Sequence, residues 1–228
     1  MNSRQKSVLI RVTVAIMVFL YVAYVANNYV LSGRLPRFDF MVITSFVGIY
    51  FIWTIISETV LYKDPDVFVT EDEDQSSYAY LQLASMVALF YAAIDFVSIH
   101  WTRASALEPG IIYVGMVLFL FSCFYRGWGL SAIGKYFNPR IAIYEGHQLV
   151  TSGPYRAVRH PLYLGVLISL VGIDLIFSSW GALLITCLAI LPLIIYRINL
   201  EEAFMLKHFG NQYRDYMKTS KKLIPGLW

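Results

Sequence analysis

The chain is short of cysteine and of charge: 228 residues hold two cysteines, and only 14% are charged. Cys123 and Cys187 both lie inside apolar runs, and neither stands in metal-ligand spacing with a histidine. A disulfide framework and a structural zinc site are thereby excluded, no metal is expected, and both thiols read as packing residues. The scarcity of charge, with 58% apolar residues, leaves too little polar surface to cover a soluble domain of this size. Also missing is a dinucleotide-binding fingerprint: the run GWGLSAIG at 127–134 has two glycines in G-x-G spacing, but no strand precedes it and the third glycine is misplaced. It reads as a loosened helix end that approaches other backbone closely. No repeat, low-complexity tract or linker divides the chain, so residues 1–228 are expected to form one domain. No small-residue cleavage site follows the first apolar run, which suits a retained span better than a signal peptide.

What the chain has instead is long apolar runs. Windows of about twenty residues with one charge or none recur at 8–26, 40–62, 78–100, 110–134, 161–177 and 180–196. The last two are short and separated only by Ser178 and Ser179, which predicts a tight helical hairpin. The fold class is therefore an all-α, multi-pass integral membrane protein with five to six transmembrane helices, residues 1–134 being mostly membrane helices. With the N-terminus placed in the cytoplasm, 15 of the 18 lysines and arginines fall on that side and only Arg34, Arg37 and Arg103 on the other. That asymmetry predicts that the N-terminus, the segment 135–160 and the C-terminal tail all face the cytoplasm. The net charge of +3 reflects this topology and calls for no nucleic-acid partner. Glu58, Asp95 and Asp174 lie near predicted helix ends and are expected to snorkel to the interface, and the acidic connection 63–77 reads as a solvated loop.

One polar stretch, 140–165, interrupts the apolar pattern with two arginines beyond Arg140, two histidines and three tyrosines, more than a helix connection needs. Gly153-Pro154 marks a turn, and Pro161 after His160 suits the first turn of a helix, where its missing N–H is harmless. His160 is then held at a helix entrance whose N–H groups and dipole favour a carboxylate, with Tyr155 and Tyr163 nearby to stack on a planar base or to form an interfacial aromatic belt. A second cluster begins at Arg197. Arg197 and Glu201 are four residues apart and share a helix face, as an ion pair or as a site. Pro192 should disturb the sixth span by freeing the carbonyl near Leu188. Beyond Glu201, Phe204, Phe209, Tyr213 and Tyr216 interleave with Lys207, Arg214 and Lys218, which predicts an amphipathic helix along the membrane surface.

The run HQLVTSGPYRAVRHPLYLG at 147–165, followed by RINLEEAFMLKHFGNQYRDYMKTSKKLIPG at 197–226, resembles the C-terminal catalytic region of the isoprenylcysteine carboxyl methyltransferase family of integral membrane enzymes. The resemblance covers roughly the last 90 residues and implies that 135–228 is a catalytic, cofactor-binding region. It implies S-adenosyl-L-methionine as cofactor, held by His147, Gln148, Leu149, Val150, Tyr155, His160, Pro161, Leu162, Tyr163 and Glu201. Arg140, seven residues before His147, would add a further cofactor contact. Arg197 would bind the acceptor and, with Glu201, carry the catalytic role. The partners implied are membrane lipid and a lipophilic or prenylated acceptor arriving from the membrane, with the active site facing the cytoplasm. Methyl transfer is an in-line displacement that demands mainly alignment and desolvation. A carboxylate nucleophile needs no general base, whereas a thiol would need a proton acceptor, for which His160 is the first candidate. Three alternatives remain open at this point: a methyltransferase for a small thiol or another lipid, an NADPH-dependent sterol-type reductase with a related HP-x-Y element, and a membrane scaffold or transporter whose basic face binds anionic lipid.

Overall fold

The structure, a computed structural model, describes residues 35–61, 69–72, 76–138, 141–144 and 146–228, with scattered positions from 13 to 33. It divides into two compact units, Met1–Tyr62 and Lys63–Trp228. In the first, α1 (Arg37–Leu61) is a long apolar helix. Its Thr44 and Thr54 hydroxyls turn back to the carbonyls of Phe40 and Tyr50 at 2.7 and 2.9 Å, the partners an apolar setting leaves them.

The second unit holds α2 (Ser77–Ile99), α3 (Gly110–Tyr136), α4 (Pro161–Ile176), α5 (Trp180–Phe209) and the short α6 (Asn211–Thr219). Among the described residues, α1, α2, α3 and α5 are long and apolar enough to cross a membrane, and α4 is a shorter apolar helix of 16 residues. The expected span at 8–26 falls largely outside the described residues. The chain is thus a helical membrane protein, as its composition requires. Among the described residues the only strands form a two-stranded antiparallel ribbon, β1 (Val69–Asp72) against β2 (Ala142–Tyr144). The acidic connection is therefore not simply solvated loop: part of it pairs with the strand that leads into His147. Backbone groups near a membrane face need partners, and here two connections supply them to each other.

Close approach of α3 and α4 rests on glycine. A Cβ on Gly115 would lie 2.6 Å from the Gly172 carbonyl oxygen, and one on Gly172 would lie 2.9 Å from the Phe119 nitrogen, so the backbones meet where lipid offers no hydrophobic drive and packing must hold helices together. The run at 127–134 behaves as read: Leu162 fills the space over Gly129, and Gly134, at φ +58°, ends the regular helix.

The α4–α5 hairpin turns at Ser178 and Ser179, and the Ser179 hydroxyl caps the Ala182 amide at 3.4 Å. Beyond it α5 runs on past the expected end of the span to Phe209. The disturbance at Pro192 takes the form of a π-helical segment, Thr186–Ile190, immediately upstream. A wider turn there accommodates the N–H that proline lacks. Asp95 and Asp174 do not snorkel. Asp95 is fully buried, accepting from the Thr102 hydroxyl at 2.6 Å and the Ser179 hydroxyl at 3.0 Å, and Asp174 accepts from Thr186 at 2.7 Å. Each has found hydrogen-bond donors within the protein, which makes its burial tolerable. With Arg103 forked onto Glu108 at 3.0 and 2.8 Å, these groups fasten the hairpin end of the bundle.

Candidate active site

The opposite end of the same helices gathers most of the polar residues singled out from sequence. Gly153 takes φ +62°, a conformation that favours glycine, and opens a short 3-10 turn through Arg156. The turn delivers Tyr155 into the interior, and Pro161 begins α4 with His160 as its N-cap, as its sequence predicts. Both His160 and Pro161 are buried, while Leu162 and Tyr163 are half-buried on the first turn.

Facing them is α5. Ile190, Ile194 and Ile198 form a fully buried stripe at helical spacing, packed with Leu81, Ala88 and Leu170. This stripe fixes the rotation of the helix and so the direction of its polar end. Arg197 is 2% exposed. Its Nη1 donates to the Ser77 hydroxyl at 2.6 Å and its Nε to the Tyr163 hydroxyl at 3.3 Å, while the Tyr78 and Tyr163 rings lie 5.6 and 5.9 Å from the guanidinium carbon. One turn on, Glu201 keeps 32% of its side chain exposed and places Oε1 3.9 Å from His160 Nδ1. A buried cation and a half-exposed anion thus flank the start of α4. Burial, and after it the nearby charge of Glu201, pushes the Tyr155 hydroxyl well above the usual tyrosine range, so this ring stays neutral.

His147 belongs to a second group. Its ring stacks on Tyr136 at 4.8 Å and meets the edge of Phe209 at 5.8 Å. Burial, and next the neighbouring His208, lowers its pKa to about 4, so it is a neutral ring at physiological pH. Phe209 lies eight residues beyond Glu201, roughly 12 Å along the helix. The sequence-predicted site is therefore elongated, with an aromatic end at His147 and a charged end at Glu201. Gln148 is exposed on the connecting run, with Leu149 and Val150 half-buried beside it. Arg140 lies outside the described residues.

Four features escaped the sequence reading. Glu202 binds Arg159 Nε at 2.8 Å and Lys222 Nζ at 3.0 Å, and lies 3.4 Å from His160 Nε2. Arg159 also donates to the carbonyls of Met217 and Ser220. Ser77 and Tyr78 come from the far side of the acidic connection to hold Arg197. The C-terminal segment pairs with residues 157–160, joined by Val158 and Lys221. A signal for Glu202 did exist: it continues the buried stripe of Ile194 and Ile198 by one more step of four. Nothing in the spacing marks Ser77 or the tail, because those contacts link separate segments as much as 120 residues apart. The expected amphipathic helix is divided at Gly210: Phe204, Lys207 and Phe209 end α5, and only Tyr213, Arg214, Tyr216 and Lys218 lie on α6. The aromatic face of α6 is turned to protein, with Tyr213 and Tyr216 buried and the Tyr216 hydroxyl donating to the Tyr155 carbonyl at 2.6 Å.

Comparison with known proteins converges on this half of the chain. The model of the isoprenylcysteine carboxyl methyltransferase family matches residues 114–207. A probable protein-S-isoprenylcysteine O-methyltransferase of Oryza sativa subsp. indica is 30% identical over 117 residues, which are 50% of this chain and 61% of the relative. The protein-S-isoprenylcysteine O-methyltransferase of Schizosaccharomyces pombe is 28% identical over 125 residues, covering 48% and 53%. The chain thus spans somewhat over half the length of these curated relatives. An uncharacterized protein of Bacillus subtilis, YpbQ, is 27% identical over 96 residues, covering 42% of this chain and 57% of that protein. A solved structure of a eukaryotic intramembrane Ras methyltransferase, an isoprenylcysteine carboxyl methyltransferase, superposes with a TM-score of 0.51 at 20% identity, covering 98% of this chain and 94% of the other. The resemblance first read from the HP-x-Y and R-x-x-x-E elements is thereby borne out: residues 114–207 match the model of the isoprenylcysteine carboxyl methyltransferase family, and the fold is similar to that of the solved methyltransferase.

Proposed function

We propose that the chain is a membrane methyltransferase that uses S-adenosyl-L-methionine to methylate the carboxylate of an isoprenylcysteine-type acceptor arriving laterally from the membrane. The observation that carries this reading is the pairing of buried Arg197 with half-exposed Glu201, one turn apart, beneath the helix entrance at His160. Such an arrangement suits two reactants of opposite charge better than one ligand. The names of the relatives supply the acceptor class, since they are protein-S-isoprenylcysteine O-methyltransferases.

The chemistry of the donor set fits the cofactor. Glu201 suits its positive groups, the entrance of α4 with His160 and Pro161 suits its carboxylate, and Tyr155, Tyr163 and His147 offer aromatic faces, with Leu149, Val150 and Leu162 as apolar packing. Gln148 and Arg140 would add polar contacts on the same segment. When bound, S-adenosylmethionine supplies an electrophilic methyl group on a sulfonium. The chain's own residues supply alignment. Ser77 and Tyr163 fix the plane of the Arg197 guanidinium, whose fork geometry matches a carboxylate, and proximity of this kind accounts for several kcal/mol of a displacement barrier. Carboxylate attack requires no proton acceptor, so His160 serves by position. In this reading residues 1–228 act as one membrane domain with the cofactor held by 135–228, and the asymmetry of 15 of 18 basic residues supports a site that faces the cytoplasm. Purified protein should bind S-adenosylhomocysteine and transfer labelled methyl to N-acetyl-S-farnesylcysteine. Binding of NADPH in place of S-adenosylhomocysteine would overturn the reading.

A further inference from the structure

We propose that the two adjacent glutamates divide two tasks: Glu202 is a positioning residue that holds His160 as its Nε2–H tautomer and clamps the C-terminal segment across the start of α4, which leaves Glu201 to face the positive end of the methyl donor. Only the last clause rests on the methyltransferase reading. The tautomer follows from distance. Glu202 Oε1 is 3.4 Å from His160 Nε2, within hydrogen-bond reach, whereas Glu201 Oε1 is 3.9 Å from Nδ1, beyond it. A carboxylate can only accept, so in the neutral form of the ring the proton sits on Nε2 and the Nδ1 lone pair turns toward Glu201. Two acceptors facing each other do not pair. Glu201, the more exposed of the two carboxylates, takes the neighbouring Tyr163 hydroxyl and leaves its exposed side open to an entering cation.

Glu202 is equipped for the other task. Its side chain is 8% exposed, its Oε1 takes Arg159 Nε at 2.8 Å together with His160, and its Oε2 takes Lys222 at 3.0 Å. Burial of that carboxylate is offset by two cations and a ring N–H, the arrangement in which a buried charge is tolerated. The same carboxylate joins three segments: residues 159–160 before α4, α5 itself, and the tail at Lys222. Backbone bonds repeat the connection, with the Arg159 amide on the Lys221 carbonyl at 2.8 Å, the His160 amide on the Lys222 carbonyl at 3.2 Å, and the Lys221 amide on the Ala157 carbonyl at 3.0 Å. Leu223, 1% exposed, then plugs the tail into the cluster of Ile190, Ile194 and Ile198. The tail is thus a strap that fixes the backbone of the HP element, and Glu202 is its buckle.

The test needs neither cofactor nor acceptor. The chain has four histidines, so nitrogen-15 histidine labelling of the full chain in nanodiscs, assigned by a His160→Gln variant, reads the His160 tautomer directly. The wild type should show a protonated Nε2 and a bare Nδ1. Glu202→Leu should give a mixture of tautomers. Glu202→Gln, which keeps an acceptor oxygen but loses the charge, should retain the tautomer while cleavage of the tail by added protease speeds up on the order of tenfold. Lys222→Met should loosen the tail in the same direction with the tautomer unchanged, and both variants keep the proposal testable where Glu202→Leu does not fold. An Nδ1–H ring in the wild type, or a tail as protected in Glu202→Gln as in the wild type, would overturn it. Failure of the wild type to bind S-adenosylhomocysteine would instead count against the methyltransferase reading, leaving the tautomer result intact.

Discussion

Replacing Arg197 by alanine separates a binding role from a structural one. The guanidinium is 2% exposed, and its hydrogen bonds include those to the Ser77 hydroxyl at 2.6 Å and the Tyr163 hydroxyl at 3.3 Å. Removing it leaves two hydroxyls to find new partners, at a cost of about 1–3 kcal/mol in stability. If Arg197 also binds the acceptor carboxylate, a further charged hydrogen bond of about 1.5–3 kcal/mol disappears from the reacting complex. At 1.36 kcal/mol per decade, that lowers kcat/KM for the acceptor by roughly tenfold to a little over a hundredfold. Binding of S-adenosylhomocysteine should change by no more than a few-fold, because Glu201, Tyr155 and His147 are untouched and Tyr163 loses only one hydrogen bond. Calorimetric titration and steady-state kinetics on the folded fraction measure the two quantities separately. Arg197→Lys, which keeps the charge without the planar fork, should recover stability more fully than it recovers acceptor use. Unchanged acceptor kinetics in folded Arg197→Ala, or equal loss of cofactor and acceptor binding, would refute the assignment.

Glu201→Gln should weaken S-adenosylhomocysteine binding by about tenfold, the low end for a charged contact because a third of this side chain is exposed; titration calorimetry reads it. Gly172→Leu should unseat α4 from α3, since a Cβ there already lies 2.9 Å from the Phe119 nitrogen, with a loss of more than about 3 kcal/mol measured by thermal unfolding in detergent. His147, with its pKa lowered to about 4 from the ordinary histidine value of 6.5, binds its proton more weakly folded than unfolded. Its contribution is therefore full above about pH 6.5 and is lost as pH falls toward and through about 4; His147→Gln should flatten that part of the pH dependence of the unfolding midpoint.

Much of the fold was legible because membrane physics writes in long runs. The spans at 78–100, 110–134 and 161–177 are met by α2, α3 and α4, and the serine pair between the last two spans is a hairpin. The HP element was legible for a local reason: proline at a first helical position and glycine at a positive φ act on their own neighbours. Misreadings share the opposite character. Asp95 and Asp174 look like interfacial acids because hydropathy sees only distance from a helix end, while Thr102, Ser179 and Thr186, which satisfy them, are matched in three dimensions. The ribbon between β1 and β2 joins segments some seventy residues apart. Glu201 was singled out over Glu202 because an i,i+4 partner in Arg197 is visible on one helix, whereas the partners of Glu202 lie on two other segments.

Helix length links the fold to the proposed chemistry. Both α4 and α5 depart from the Ser178–Ser179 turn, and at 1.5 Å per residue His160 lies roughly 24 Å along one and Arg197 roughly 26 Å along the other. The two residues are therefore level, which is why Tyr163, on the first turn of α4, reaches Arg197 at 3.3 Å. The hydrocarbon of a bilayer is about 30 Å thick, so a turn seated at one boundary leaves His160 and Arg197 a few ångströms short of the other. Glu201, one turn further, reaches the boundary itself, consistent with its being the more exposed of the pair. At this depth Arg197 is enclosed by protein at the level of the hydrocarbon, while Glu201 is partly exposed near its edge. An acceptor with a lipid chain can bring its carboxylate to Arg197 without that chain leaving the membrane, while a water-soluble cofactor approaches from the side on which Glu201 opens. In the proposed reaction, the short α4 and the long, π-bulged α5 would bring a lipid-phase nucleophile and an aqueous electrophile to one point.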